Sequence, residues 1–146
     1  MKIHHALLCV GLLFSLGCST FERDWKRAEL VAVPAAGIEG RWEGTWLSDY
    51  NSHTDELRCL ITRGTNGLHQ ARFHAKYQKV FSFEYTVGLK VESLSAYAHK
   101  FTGDADLGWL AGGLYHYVGE ATMTNFLSTY RCKYDHGTFR MMRPSK

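Results

Sequence analysis

The chain of 146 residues carries 17 basic and 14 acidic side chains, which give a formal net charge of +3 at pH 7. Such a nearly balanced charge lacks the basic surplus of a nucleic-acid-binding protein, so that class is excluded. Aromatic residues make up 14% of the chain, which has 14 glycines but only two prolines. This composition is typical of many short strands joined by tight turns.

The first predicted element is an export signal over residues 1–17. Lys2 precedes a mostly apolar run at residues 6–16, and small residues lie near the end of that run. A cation, a short apolar run and small residues in this order are the features of a signal peptide. Because a helix needs about 20 apolar residues to cross a bilayer, the run is too short to be a membrane span.

The end of the signal and the residue after it read Ser15-Leu16-Gly17-Cys18, which resembles the lipobox of bacterial lipoproteins. The resemblance implies that Cys18 is lipidated and becomes the first residue of the mature protein. It implies a place in the bacterial cell envelope, since two or more acyl chains hold a protein stably on a membrane. An Asp after the cysteine would resemble an inner-membrane retention signal, so Ser19 favours the outer membrane. The alternative is an ordinary cleaved signal or a short uncleaved anchor, with Cys18 incidental.

Residues 18–38 are predicted to form a tether between the lipid and the folded domain. Phe21, Trp25 and Ala28 are spaced by four and three residues, which places them on one face of a short helix. The sequence Pro-Ala-Ala-Gly at residues 34–37 ends this helical or irregular stretch.

Residues 39–146 are predicted to form one all-β domain of about eight or nine strands. Apolar and polar residues alternate with period two in several segments, at residues 57–62, 71–78, 81–92 and 126–134. Turn residues separate these segments, as in Asn66-Gly67 and Asp135-His136-Gly137. One apolar face indicates an antiparallel sheet, and closure removes the exposed edges. We therefore predict an up-and-down meander barrel, with a two-sheet sandwich as the alternative.

The domain opens with Gly40-Arg41-Trp42, and Gly-x-Trp on the first strand of a barrel resembles the lipocalin and wider calycin signature. The resemblance implies that Trp42 plugs one end of the barrel and that an arginine from a late strand covers it. Arg140 is our candidate for that arginine, with Arg131 as the other. The segment 137–141 also resembles the last strand of small bacterial lipoprotein barrels. The alternative is that Trp42 and Trp46 are simply core and rim aromatics.

Cys59 and Cys132 remain once Cys9 is assigned to the signal and Cys18 to the anchor. Two thiols in an exported protein suggest one disulfide. Because both lie on the apolar faces of their predicted strands, two buried free thiols are the alternative.

No motif in the sequence predicts catalysis, a metal or a cofactor. Asp104-x-Asp106-x-Gly108 fails the EF-hand pattern, because the glycine stands at position five instead of six. The histidines are scattered, and there is no Gly-x-Ser-x-Gly motif. We therefore expect that the protein is not an enzyme. A separate feature is the cationic outer face of residues 72–79, which would meet lipid head groups or be solvated.

The function predicted from these features is binding of a small apolar or amphipathic ligand inside the barrel. Tyrosine hydroxyls would supply the few polar groups that such pockets need. The predicted lining residues are Phe73, Tyr77, Phe83, Tyr85, Tyr115, Tyr130 and Tyr134. The alternative is a structural or interaction module whose barrel is filled by the same rings and holds no ligand.

Overall fold

A computed structural model describes residues 20–145 of the chain. Within these residues, one α-helix and eight β-strands follow one another in the order α1 (Thr20–Glu29), β1 (Gly40–Ser48), β2 (Thr54–Arg63), β3 (His69–Tyr77), β4 (Phe81–Ser93), β5 (Ala98–Asp106), β6 (Leu114–Thr122), β7 (Asn125–Arg131) and β8 (His136–Met142). A 3-10 turn, Trp109–Ala111, lies between β5 and β6. The predicted signal peptide (residues 1–17) and lipidation at Cys18 fall outside the described residues.

The eight strands form a closed antiparallel barrel in which each strand pairs with the next along the chain. Pairing of β1 with β8 closes the barrel, with Gly44 opposite Met141. The predicted all-β up-and-down barrel is thereby confirmed, and the two-sheet sandwich is excluded. Closure gives every strand two neighbours, which removes the edges that would otherwise be open to other chains.

The hydrophobic core lies inside the barrel because alternate residues of each strand point inward. On β7, for example, Phe126 and Tyr130 are buried whereas Leu127 and Arg131 are exposed. Gly119 leaves room for this packing, since a methyl group there would overlap the ring of Phe101. The largest fully buried side chains inside the barrel are Trp42, Phe73, Phe126, Leu57, Ile61, Leu89 and Met141.

Helix α1 packs on the outer wall of the barrel. Phe21 and Trp25 are buried against Leu60 of β2, and Ala28 packs on the same cluster. The predicted one-sided face of this helix is therefore confirmed. The Arg58 guanidinium lies 5.2 Å from the ring centroids of both Phe21 and Trp25, within cation–π range.

The cationic outer face of β3 lies against helix α1. Arg72 is 2.9 Å from the Asp24 carboxylate. The His74 ring stacks on Phe21 with centroids 5.1 Å apart. Lys76, nearer the end of the strand, is 2.6 Å from Glu56 of β2. Arg72 and Lys76 of this face are thus paired with carboxylates of the chain, and His74 packs on the helix, whereas Lys79 is exposed.

Candidate functional site

The two ends of the barrel differ, and Trp42 fills the end at which β1 begins. Its ring is fully buried and packs against Phe126 with centroids 5.6 Å apart. Its indole N–H donates to the backbone carbonyl of Ile38 at 2.8 Å. A buried Trp usually finds such a partner for its one donor. This end of the barrel is closed by side chains.

The arginine that covers Trp42 is Arg143, with its Cζ 3.8 Å from the ring centroid. The prediction of Arg140 in this role was wrong. Arg140 lies between the inward-facing Phe139 and Met141, so the pleat of β8 turns it outward, where it is exposed. Arg131 is also excluded, because it pairs with His136 at the opposite end of the barrel.

Arg143 is fixed by the backbone as well as by the ring. The Nη1 group of Arg143 donates to the backbone carbonyl of Glu39 at 2.7 Å and to that of Arg41 at 3.3 Å. Burial lowers the pKa of Arg143 to about 10, so the side chain stays charged at neutral pH. The guanidinium thus joins the end of β8 to the entry of β1 across the closed end.

The opposite end of the barrel contains a cavity of about 660 Å³. It lies where β1, β3, β5 and β7 end. The lining is mostly apolar and aromatic and consists of Trp46, Ala75, Lys76, Tyr77, Phe83, Glu84, Tyr85, Asp106, Leu107, Leu110, Ala111, Tyr115, Tyr117, Tyr130, Asp135 and Phe139. Such a lining with a few polar groups is the usual character of a small-molecule site.

Side-chain exposure distinguishes the floor of the cavity from its mouth. Tyr117 and Phe139 are only 2% and 5% exposed, and they form the floor. Phe83 and Leu110 are 56% and 82% exposed, and they form the mouth. The cavity is therefore a cup that is open to solvent on one side.

The structure brings five of the seven predicted lining residues together around this cavity, namely Tyr77, Phe83, Tyr85, Tyr115 and Tyr130. Phe73 lies beneath the floor, where its ring stacks on Tyr85 at 5.2 Å. Tyr134 does not take part. It follows the end of β7 at Arg131 and is 62% exposed, with the Lys133 ammonium 5.1 Å from its ring.

The sequence analysis missed several lining residues. The sequence pattern could have identified Trp46 and Tyr117. Trp46 lies four residues after Trp42 on the inward-facing side of β1, and Tyr117 lies two residues before Gly119 on the inward-facing side of β6. Leu110 carried none, since it lies in the 3-10 turn between β5 and β6, where no period-two pattern applies.

Hydrogen bonds fix the polar groups around the mouth. Asp135 accepts from the Ser48 hydroxyl at 2.6 Å and from the Tyr130 hydroxyl at 2.9 Å. Tyr115 donates to the carbonyl of Ala111 at 2.9 Å, which ties the 3-10 turn to β6. Burial, together with the bond to Asp135, raises the pKa of Tyr130. These groups hold the loops around the mouth in place.

Cys59 and Cys132 are both free thiols, so of the two alternatives predicted from the sequence the structure agrees with free thiols and not with the disulfide. Cys59 is buried inside the barrel, opposite Trp42 in the β1–β2 register and therefore towards the closed end. Cys132 follows β7 at the other end and is partly buried. Burial raises the pKa of Cys59 well above its usual value, which suppresses formation of its thiolate.

Within residues 20–145, no cluster of three or more His, Cys, Asp or Glu side chains could hold a metal ion. No helix in the same stretch has the length and apolar character needed to cross a bilayer.

The fold and the cavity together define a class of protein, the closed eight-stranded up-and-down barrel with one filled end and one open end. No family model matches the sequence, and neither the curated proteins nor the solved structures include one that is significantly similar to it.

Proposed function

We propose that this barrel binds a small apolar or amphipathic molecule at its open end and that a lipid on Cys18 holds the protein at the bacterial cell envelope. The observation that carries the proposal of binding is the aromatic cup of about 660 Å³. Ligand pockets in proteins usually measure about 300–1,000 Å³.

The alternative, a structural module with a filled barrel, receives less support from the packing. Phe101 and Phe126 stack at 4.6 Å beside Trp42 and fill the closed half. In the open half the rings line the wall and leave a cavity between them. A barrel of about eight strands either just fills itself or holds one small ligand, and the cavity at one end supports the second possibility.

Covering the mouth would supply a driving force for binding. Phe83 and Leu110 line the cup and yet expose most of their surface. Removal of apolar surface from water contributes roughly 25 cal/mol for each Å² buried. An amphipathic molecule would cover these two side chains while its polar groups met the tyrosine hydroxyls.

We propose binding without catalysis and without a cofactor. The carboxylate of Asp135 accepts two hydroxyls and thereby holds the β1–β2 and β7–β8 turns together. This role is structural, so Asp135 is already used in maintaining the mouth.

The proposed anchor rests on the signal-like N-terminus and its lipobox resemblance. Only Ser19 separates Cys18 from helix α1. A lipid on Cys18 would therefore be joined almost directly to a helix that packs on the barrel wall. The distance between the lipid and the barrel would then be much shorter than a tether over residues 18–38 would allow.

Native mass spectrometry of the protein extracted from its own membrane tests the binding proposal. We expect a co-purifying small molecule in the wild type and its loss in Ala75→Trp, which places a large ring in the cup. Thr102→Trp, on the outer face of β5, is the matched control and should keep the molecule. A wild type with no bound molecule, or one kept equally by Ala75→Trp, would contradict the proposal.

Labelling cells with radioactive palmitate tests the anchor separately. We expect the label to be lost in Cys18→Ala and kept in Cys9→Ala, whose cysteine lies in the predicted signal. Equal labelling of both variants would end the lipidation proposal and leave the cavity proposal intact.

A further inference from the structure

Two tyrosine hydroxyls at the floor of the cup have more hydrogen-bonding capacity than their surroundings use. The Tyr117 hydroxyl is enclosed and has no partner at hydrogen-bonding geometry. The hydroxyl of Tyr85 lies beside it, close enough for each to perturb the other's pKa. Among the described residues, neither hydroxyl reaches any other acceptor.

The hydroxyls of Tyr85 and Tyr117 have one more proton to donate than they have acceptors. Each tyrosine hydroxyl has one proton to donate. If one hydroxyl turns its proton towards the other, the second proton still has no acceptor. An unpaired donor in an apolar interior is costly. The floor therefore presents at least one donor to whatever occupies the cup.

Three other donors of the cup, those of Tyr115, Tyr130 and Trp46, have no such surplus. The Tyr115 hydroxyl donates to Ala111 and the Tyr130 hydroxyl donates to Asp135. The Trp46 indole N–H donates to the carbonyl of Lys76 at 2.9 Å. Among the described lining residues, the tyrosine hydroxyl that is both enclosed and unpaired thus belongs to the Tyr85–Tyr117 pair.

The surroundings of this pair favour a neutral, flat partner. The Phe73 ring lies within 20° of parallel to Tyr85 and within 13° of parallel to Tyr117, so the floor is bounded by nearly parallel rings. The cation among the lining residues, Lys76, is directed to Glu56 on the outer wall. An anion at the floor would lose its hydration without gaining a positive partner.

We propose that the ligand of this site, if the protein binds one as proposed above, carries a neutral oxygen acceptor on a flat apolar body and enters with that acceptor first. The acceptor is a carbonyl, ether or hydroxyl oxygen, and it receives the proton that the Tyr85–Tyr117 pair leaves unused. Burial raises the pKa of both tyrosines, which keeps them protonated as donors at neutral pH.

Two probes of matched shape test the proposal, namely 2-acetylnaphthalene and 2-isopropenylnaphthalene, which differ in a carbonyl against a methylene group. Calorimetric titration of the full chain gives the ratio of their dissociation constants. We expect the preference for the ketone to fall about tenfold in the double variant Tyr85→Phe/Tyr117→Phe, because one hydrogen bond is lost. Tyr134→Phe, outside the cup, should leave the ratio unchanged.

The infrared carbonyl band of the bound ketone gives an independent readout. A hydrogen bond from a tyrosine hydroxyl lowers the stretching frequency, so the band should rise in the double variant. If both probes bind the wild type with a ratio and a band that the double variant does not change, the head-first orientation is wrong but binding stands. If neither probe binds the wild type, this inference fails, whereas the proposed function is decided separately by the co-purifying molecule.

Discussion

The guanidinium of Arg143 lies over the indole ring of Trp42, with Cζ 3.8 Å from the ring centroid. The two residues come from the opposite ends of the barrel sequence, one from β1 and the other from just beyond β8. Their contact joins the first and last strands at the closed end, where β1 and β8 also pair along their length. The closure of the barrel is thus reinforced by side chains as well as by the backbone.

Replacing Arg143 should destabilise the barrel, whereas replacing Arg140 should not. Arg143→Ala removes a cation–π contact and leaves the Glu39 carbonyl without its donor, so we expect a loss of about 1–3 kcal/mol. Arg140→Ala changes an exposed side chain and should cost less than about 0.5 kcal/mol. Urea unfolding followed by circular dichroism measures both. An equal effect of the two substitutions would argue against a special role for Arg143.

Helix α1 should detach from the barrel before the barrel itself unfolds. Phe21 is fully buried, but against the outer wall and separately from the core inside the barrel. Phe21→Ala should therefore expose the helix while the strands remain folded. Hydrogen exchange measured for separate peptides should show faster exchange in residues 20–29 and unchanged exchange in β5 to β7. Leu30→Ala, at an exposed position, is the control and should leave both regions unchanged.

Docking of this helix should also weaken as the pH falls from about 7 to 5. Burial and the neighbouring Arg58 lower the pKa of His74 from 6.5, while Glu84 and Glu22 oppose this shift. The folded state therefore disfavours the protonated ring. The contribution of the neutral His74 ring to stability is complete above pH 6.5, and it is lost as the pH falls through the lower pKa of the folded state.

His74→Phe keeps a ring to stack on Phe21 but cannot titrate. Hydrogen exchange of residues 20–29 should depend on pH in the wild type after correction for the intrinsic rate, and much less so in His74→Phe. The pKa of Glu22 is also lowered, first by its hydrogen bond to Arg58, so a second loss of docking is expected below pH 4.5 in both proteins. Identical profiles between pH 5 and 7 would show that His74 is not the titrating group.

Sequence patterns predicted the barrel because closure depends on many similar segments. The alternation from Phe81 to Val91 specifies which side of β4 faces inward, and the strand runs over Phe81–Ser93. An error at one position leaves such a pattern intact. The one-sided helix was predictable for the same reason, since Phe21 and Trp25 repeat at helical spacing.

Contacts between distant strands were not predictable in this way. The identity of the arginine over Trp42 depends on the stagger between β8 and β1, and strand alternation alone does not give that stagger. The boundary between the filled half and the cup likewise depends on ring volumes, such as those of Phe101 and Phe126, and on the turn that carries Leu110. The absence of a disulfide could not be predicted for the same reason. Two cysteines that both face inward are still too far apart to bond when they lie at opposite ends of the barrel.

Loss of the hydroxyl should lower the free energy of unfolding at one tyrosine of the cup but not at another. Tyr130→Phe removes a donor from Asp135 in a partly buried setting, and we expect a loss of about 1–2 kcal/mol of unfolding free energy. Tyr117→Phe removes a hydroxyl that has no neighbour to pair with except the Tyr85 hydroxyl, so it should be neutral or slightly stabilising. Thermal and urea unfolding compare the two variants directly. A large loss in Tyr117→Phe would mean that its hydroxyl already has a strong partner.

The two barrel cysteines should differ in their reaction with iodoacetamide. Cys132 is partly buried at the open end and should be modified in the native protein, whereas Cys59 is enclosed and has a raised pKa. Reaction requires the thiolate and access to it, so Cys59 should react only after unfolding in guanidinium. Peptide mass spectrometry assigns the label to each residue, with the native and guanidinium reactions both carried out before any reductant is added. Failure of both cysteines to react in guanidinium, followed by reaction of both after reduction, would show that a disulfide joins them and that the free-thiol arrangement is wrong.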